Sequence, residues 1–287
     1  LLPLLKSNIV VQQQISLASD CIHFWRYSMQ TLREFYEYRE LLKTNVRKDI
    51  RGRYKGSILG MLWSFINPLL QVFVYYLVFP YLMRGSMENF LVFLITAFFP
   101  WNFFLASING ATGCIKANAG IIKKVYFPRK ILILSQVISN LINFFFAVPI
   151  ILIFVVIFQI PLTWNLIFLP LIAVVEALLC YGCGLILSAI NVYVQDVENL
   201  VQFFLNLLFY GTPIIYSLDM FPSGSMLYFL VSHNPMTLLM NCYRNVMMYG
   251  TMPEWGSLAV LLLISFVLIM MGNWVFDKLQ KGFAEEL

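Results

Sequence analysis

The chain has 287 residues, of which 60% are hydrophobic and only 11% are charged. Soluble domains carry charge on roughly a quarter of their residues, because a polar shell must cover the apolar core. A mean hydropathy of +0.79 therefore excludes a soluble globular protein. Since a bilayer offers the backbone no hydrogen-bond partners, the composition predicts an all-α integral membrane protein.

The first predicted region, residues 1–56, is basic and cytoplasmic, and it holds ten of the 19 Lys and Arg residues. Residues 31–50 read as an amphipathic helix with Glu40 and Lys43 paired on its wetter side. Such a helix suits the headgroup plane of a membrane, where it would contact lipid. A solvated helix docked on a partner protein is the alternative. The apolar side comprises Leu32, Phe35, Tyr36, Leu42, Val46 and Ile50.

The remaining residues, 57–287, read as one membrane domain with six spans. A membrane helix needs about 20 mostly apolar residues, and six runs approach or exceed that length. They are 57–83, 90–114, 131–158, 166–190, 200–216 and 257–276. The fifth is the shortest.

The distribution of basic residues predicts the orientation of these spans. With the N-terminus in the cytoplasm, 17 Lys and Arg residues lie inside and only Arg84 and Arg244 lie outside. Cytoplasmic loops of membrane proteins carry the excess of Lys and Arg. The sequence thus predicts a multi-pass membrane protein with both termini cytoplasmic.

An outer segment between spans five and six, residues 218–255, is neither an ordinary loop nor a span. Asn234 and Pro235 are suited to the cap and first turn of a short helix that ends near Tyr249. About 14 residues cannot cross a bilayer. We expect the segment to re-enter the membrane from the outer face, beside a conduit.

Catalytic chemistry is not indicated. No Gly-Lys pair occurs, so the chain lacks a P-loop. Asp49, Asp196 and Glu198 read as solvated charges rather than paired catalytic carboxylates. Cys180 and Cys183 have no histidine near them in sequence, and they read as packed apolar residues rather than as metal ligands. We predict no enzyme activity and no cofactor in this chain.

Several side chains are candidates for lining a conduit. Glu176 is a carboxyl group inside the fourth span. It reads either as a pore-facing or proton-linked group, or as a hydrogen-bonded group at a helix contact. Aromatic rings suit the flat faces of sugars, with lipid or core packing as the alternative. The candidates are Trp63, Phe99, Trp101, Glu176, Phe204, Tyr210, Tyr216 and Arg244.

Four blocks of sequence resemble the ABC-2 type permeases that export polysaccharides. Residues 53–63 (RYKGSILGMLW) are followed by Asn67-Pro68, and residues 122–129 (IKKVYFPR) form a second block. The third is TPIIY at 212–216, with Asn-Pro and Tyr-Arg-Asn further on, and the fourth is FAEEL at the end. The family commonly has Arg-Asp after the fourth span, where this chain has Gln-Asp.

The resemblance implies an exporter made of several subunits. Two copies of this chain would form a homodimer with two separately encoded ATPase subunits, which bind ATP and Mg. The substrate would be a polyprenyl-lipid-linked polysaccharide such as O-antigen, capsule or teichoic acid. It would move from the cytoplasmic to the outer face of a bacterial plasma (inner) membrane during cell envelope biogenesis. No nucleic acid partner is implied.

Residues 116–130 match the segment through which the ATPase drives transport in this family. The sequence itself predicts a short helix with Ile121, Ile122 and Val125 on one side, stopped by Pro128. The alternative is a loop whose charges only fix topology. The coupling candidates are Asn118, Ile121, Ile122, Lys123, Lys124, Tyr126, Phe127, Pro128 and Arg129.

The basic end of the interface helix is predicted to capture the diphosphate of the lipid carrier, because clustered cations attract phosphate. Orientation by positive charge alone is the alternative. The residues are Arg47, Lys48, Arg51, Arg53 and Lys55.

Three other functions compete with polysaccharide export. An ABC-2 exporter of drugs or lipids would have similar spans. A membrane glycosyltransferase acting on polyprenyl phosphates would share the basic inner face but needs an acidic active site. If the chain were a purely structural anchor, the re-entrant segment would have no role.

Overall fold

The computed structural model describes residues 33–54, 60–82, 89–222 and 224–287. Every regular element among these residues is helical, as the composition predicts. The chain divides into two compact units, residues 1–44 and 45–287. The predicted domain boundary after residue 56 falls outside the described residues.

Besides the helical residues 33–37, the described residues form eleven α-helices, with short 3-10 turns between some of them. They are α1 (Arg39–Tyr54), α2 (Trp63–Leu82), α3 (Phe90–Ala117), α4 (Ala119–Ile122), α5 (Lys130–Ile157), α6 (Leu169–Tyr193), α7 (Val197–Tyr210), α8 (Met226–Ser232), α9 (Pro235–Met247), α10 (Trp255–Leu279) and α11 (Phe283–Glu286).

Within the first unit, the described residues 33–44 are helical except for a break at Tyr38. Arg33 Nε donates to Glu37 Oε1 at 2.9 Å, and Lys43 Nζ donates to Glu40 Oε1 at 2.8 Å. The predicted Glu40–Lys43 pair is therefore present. Both pairs are exposed, so each adds only a few tenths of a kcal/mol.

Four helical segments are long and apolar enough to span a membrane. They correspond to the second, third, fourth and sixth predicted spans. They are Phe90–Ala117, Lys130–Ile157, Trp164–Tyr193 and Trp255–Glu286.

The first and fifth predicted spans correspond to shorter apolar helices. In α2, the apolar stretch runs over Phe65–Val78. Helix α7 has 14 residues, or about 21 Å, against roughly 30 Å for the hydrocarbon core of a bilayer. It ends at Gly211 because Pro213 follows, and the residue before a proline is disfavoured in a helix.

Close contact between α6 and α10 depends on two glycines. A Cβ atom at Gly182 would lie 2.8 Å from the Cβ of Leu268, and one at Gly272 would lie 2.9 Å from the Gly182 carbonyl oxygen. Either distance is a clash. The two helices approach this closely only because both positions lack a side chain.

The predicted short helix of the outer segment is present as α9 and ends at Met247. The side chain of Asn234 accepts a hydrogen bond from the Met236 backbone nitrogen at 3.0 Å, and Pro235 occupies the first turn. The preceding α8 is capped in the same way by Ser225. Helix α9 packs against α3, α6 and α10.

Candidate transport site

The predicted coupling segment begins with a single helical turn. Helix α3 ends at Ala117, α4 covers only Ala119–Ile122, and turns at Lys123 and Lys124 lead to an extended stretch before α5. Asn118 joins the two helices and donates from Nδ2 to the Cys114 carbonyl at 2.8 Å. The regular helix is thus shorter than the predicted one.

A hydrogen-bond network anchors the beginning of this segment. Lys116 Nζ donates to Asn191 Oδ1 at 3.2 Å. The amide nitrogen of Asn191 in turn donates to the Thr112 carbonyl at 2.9 Å and to Glu198 Oε1 at 2.8 Å. These contacts connect α3, α6 and α7. Glu198 therefore has a structural partner and is not simply a solvated charge.

The end of the segment is anchored to the C-terminal part of the chain. Lys130 Nζ lies 2.9 Å from Asp277 Oδ1, and the Arg129 guanidinium donates to the Gln280 carbonyl. Arg129 also lies over the ring of Phe283, which is fully buried. The segment is therefore fixed at both of its ends.

Between these anchors, apolar side chains face in opposite directions. Ile122 and Phe127 are buried within the chain, whereas Ile121 and Val125 are about half exposed and Tyr126 is 93% exposed. The predicted grouping of Ile122 with Ile121 and Val125 on one side is therefore wrong. The Val125 backbone nitrogen donates to the Ile121 carbonyl at 3.0 Å, so these two side chains, four residues apart, share one face. Ile122 is turned by about 100° from Ile121 and is buried instead.

The remaining candidates of the segment are exposed or half-buried. Lys123 and Lys124 are exposed, while Asn118, Pro128 and Arg129 are half-buried. The segment therefore presents an apolar surface of Ile121, Val125 and Tyr126, flanked by cations. We refer to these three residues as the apolar tip.

The basic end of α1 is exposed, as a phosphate-binding surface requires. Arg47, Lys48 and Arg51 are all exposed. The side chain of Arg53 and the whole of Lys55 lie outside what the structure describes.

Asp49 fixes this part of α1 to α5. Its carboxylate accepts hydrogen bonds from Gln136 Nε2 at 2.9 Å and from Ser139 Oγ at 3.4 Å. Asp49 is therefore a structural contact of the second unit, and the interpretation of it as a solvated charge is wrong.

Two of the candidates for lining a conduit, Glu176 and Arg244, are buried in contacts with or within α9. Glu176 is fully buried and accepts a hydrogen bond from the hydroxyl of Tyr243 at 2.7 Å. The Arg244 guanidinium lies 3.5 Å from the centre of the Phe93 ring and donates to the Ile214 carbonyl at 3.1 Å. These contacts join α9 to α6, to α3 and to the turn after α7.

Two further candidates, Trp63 and Phe99, meet at a cavity of about 320 Å³ between α2, α3 and α5. Its lining combines aromatic rings with side-chain amides. The lining residues are Trp63, Asn67, Pro68, Gln71, Phe99, Asn102, Phe103, Ala106, Asn140, Asn143, Phe144 and Ala147. None of them carries a charge.

The other four candidates do not line this cavity. Trp101 is buried against Phe209, with ring centres 5.6 Å apart. Phe204 and Tyr210 are exposed on the surface of α7. The hydroxyl of Tyr216 donates to the Tyr210 carbonyl at 2.8 Å.

Sequence reasoning missed three residues that organise the site: Asp49, Asn191 and Asp277. Each lies at the predicted cytoplasmic end of the bundle and contacts a residue distant in sequence. Asn191 is buried at the end of a long apolar run, and a buried polar group requires a hydrogen-bond partner. Asp49 and Asp277 stand beside basic residues in the sequence, and no local signal distinguishes them from solvated charges.

Comparison with known proteins identifies the family. The ABC-2 type transporter pattern matches residues 40–248. An O-antigen export system permease protein, RfbA, from Klebsiella pneumoniae is 35% identical over 252 residues, which cover 86% of this chain and 95% of that protein.

More distant relatives extend the same group. The RfbA permease of Myxococcus xanthus is 32% identical over 259 residues, covering 90% of this chain and all of that protein. The polysialic acid transport protein KpsM of Escherichia coli is 26% identical over 249 residues, covering 82% of this chain and 92% of KpsM. With a family match across most of its length, this chain belongs to the ABC-2 type transporter family.

Proposed function

We propose that this chain is the permease subunit of an ATP-driven exporter that moves a polyprenyl-lipid-linked polysaccharide from the cytoplasmic to the outer face of a bacterial inner membrane. The observation that carries the proposal is similarity along nearly the whole chain to permeases named for O-antigen export. A second relative is named for the transport of a different polysaccharide. Polysaccharide is thus the cargo that these names share.

The movement of the ATPase subunit is transmitted to this chain through the apolar tip. Ile121, Val125 and Tyr126 are exposed on a segment whose two ends are fixed by buried or half-buried polar contacts. Exposed apolar groups rimmed by polar residues mark protein interaction sites. A separate ATPase subunit, holding ATP and Mg, would seat on this surface and move α3 and α5 together.

Two copies of the chain form the conduit. Helix α7 buries Val201, Leu205 and Phe209, while its opposite side exposes apolar residues. That side would face a second copy across a two-fold axis, the commonest symmetry of homo-oligomers. The exposed residues are Leu200, Phe203, Phe204, Leu207 and Tyr210.

The remaining elements take their places around this conduit. Helix α2 completes six spans together with α7, whose 14 residues are extended by the buried residues 212–215. Helix α9 re-enters from the outer face between α7 and α10. The excess of basic residues on one side supports a cytoplasmic position for both termini. The exposed cations Arg47, Lys48 and Arg51 bind the diphosphate of the lipid carrier.

Deletion of the gene in its native host tests the proposed function. We expect surface polysaccharide to disappear while lipid-linked polysaccharide accumulates inside the cell, and the wild-type gene to restore the surface polymer. Unchanged surface polymer would indicate an exporter of drugs or other lipids. Loss of the polymer both inside and outside would indicate a glycosyltransferase.

A further inference from the structure

The cavity between α2, α3 and α5 has a lining suited to a sugar. Its floor consists of Phe99, Phe103 and Phe144, all buried. Phe103 and Phe144 are stacked, with ring centres 5.6 Å apart and planes inclined by 19°. Trp63 contributes a fourth ring and is partly exposed. Flat apolar rings of this kind pack against the C–H faces of sugar rings.

Five side-chain amides surround these rings. Asn67 and Gln71 of α2 are exposed, Asn102 and Asn143 are half-buried, and Asn140 is buried. A primary amide both donates and accepts hydrogen bonds, and it therefore matches neighbouring hydroxyl groups. The Asn102 amide is held in one orientation, because its nitrogen donates to the Phe98 carbonyl at 2.8 Å.

The charge of the lining restricts the ligand class. None of the residues that line the cavity is ionisable at neutral pH, so a phosphate would lose its hydration there without gaining a cation. A neutral polyol has no such cost. At about 320 Å³ the cavity falls in the size range of small-molecule sites, roughly 300–1,000 Å³.

A phosphate-binding surface lies close to this cavity. Asp49 of α1 contacts Gln136 and Ser139 of α5, and Asn140 of the cavity follows directly on the same helix. The exposed cations Arg47 and Arg51 lie on the face of α1 opposite Asp49, because they are two residues from it on either side. Lys48 directly precedes Asp49 and lies on the flank between the two faces. A diphosphate held at this flank would place the adjoining sugar near the cavity.

From this juxtaposition we infer that the α2–α3–α5 cavity is a saccharide subsite. It binds the neutral sugar next to the carrier diphosphate, while the basic end of α1 binds the diphosphate itself. This inference rests on the proposed function and specifies where one part of the substrate is recognised. The amides of Asn140 and Asn143 in α5 are therefore part of the site.

Matched lipid probes separate the two parts of the site. The probes are farnesyl diphosphate alone and farnesyl diphosphate carrying glucose, galactose or N-acetylglucosamine, each titrated into the full-length permease in lipid nanodiscs. We expect at least one sugar-bearing probe to bind about tenfold more tightly than the sugar-free probe, which corresponds to a small number of neutral hydrogen bonds.

Variants assign that difference to the cavity. The double variant Asn67→Leu, Gln71→Leu removes two exposed amides without disturbing the buried floor. We expect the Kd of the sugar-bearing probe to rise to about that of the sugar-free probe, while the Kd of the sugar-free probe stays unchanged. Arg51→Met should weaken all probes equally. Asn273→Leu makes the same substitution in α10, away from the cavity, and should retain the wild-type preference.

The outcomes distinguish this inference from the proposed function. It is overturned if no sugar-bearing probe binds more tightly than the sugar-free probe, or if the double variant retains the preference. Either result leaves the proposed function standing when the wild-type chain still exports polymer in cells. The amount of surface polymer must therefore also be measured in the native host, with and without the gene.

Discussion

Helix α9 and the coupling segment distribute polar and apolar groups in opposite ways. In α9, Tyr243 and Arg244 are buried and bind groups on α3, α6 and the turn after α7. In the coupling segment, Val125 and Tyr126 are apolar or aromatic and exposed. Buried polar groups that find partners within one chain stabilise that chain. Exposed apolar groups on a fixed segment instead indicate a contact with another subunit.

The same contrast occurs within the coupling segment itself. Phe127 is buried next to Tyr126, which is almost fully exposed. Phe127→Ala should therefore lower the free energy of unfolding by about 3–5 kcal/mol, the usual cost of removing a buried phenylalanine. Tyr126→Ala should change it by less than about 0.5 kcal/mol. Unfolding in detergent micelles measures both, and equal effects would contradict the opposite orientations.

Arg244 provides the next largest effect. Arg244→Met removes the contact with the Phe93 ring and the hydrogen bond to the Ile214 carbonyl. We expect a loss of about 2–3 kcal/mol in the free energy of unfolding. Lys281→Met is the control, because Lys281 is exposed. If both variants unfold alike, the buried position of Arg244 would be wrong.

The Tyr243–Glu176 hydrogen bond should contribute less. Tyr243→Phe removes the donor and leaves the buried carboxyl group without it, at a cost of about 1–2 kcal/mol. The same substitution should be nearly neutral when combined with Glu176→Leu, because the acceptor is then absent. An equal cost of Tyr243→Phe in both backgrounds would show that the hydrogen bond does not stabilise the chain.

Local signals allowed much of the fold to be predicted. Asn234 and Pro235 specify the start of α9 through the cap and the first turn, both of which depend only on neighbouring residues. The long apolar runs likewise predicted the four membrane-spanning helices. These features depend on chemistry within one segment.

The site was less predictable because its contacts connect distant segments. Tyr243 and Glu176 are 67 positions apart, and Lys130 and Asp277 are 147 apart. No spacing rule links such residues. The burial of Ile122 beside the exposed Ile121 depends on which face of this turn packs against the rest of the chain. Helical periodicity predicts neither the buried face nor the third wall of the cavity, which α5 provides.

ATP-dependent transport by the reconstituted complex tests most directly the claim that an external ATPase acts on the apolar tip. Vesicles would hold the permease with its ATPase partner and a labelled lipid-linked polysaccharide from the native host. Tyr126→Asp adds a charge at the tip, and Tyr249→Asp makes the same change at an exposed tyrosine after α9. We predict at least about a tenfold loss of transport for Tyr126→Asp alone, because a charge at the centre of an interface disrupts binding. Wild-type transport by Tyr126→Asp would contradict the account.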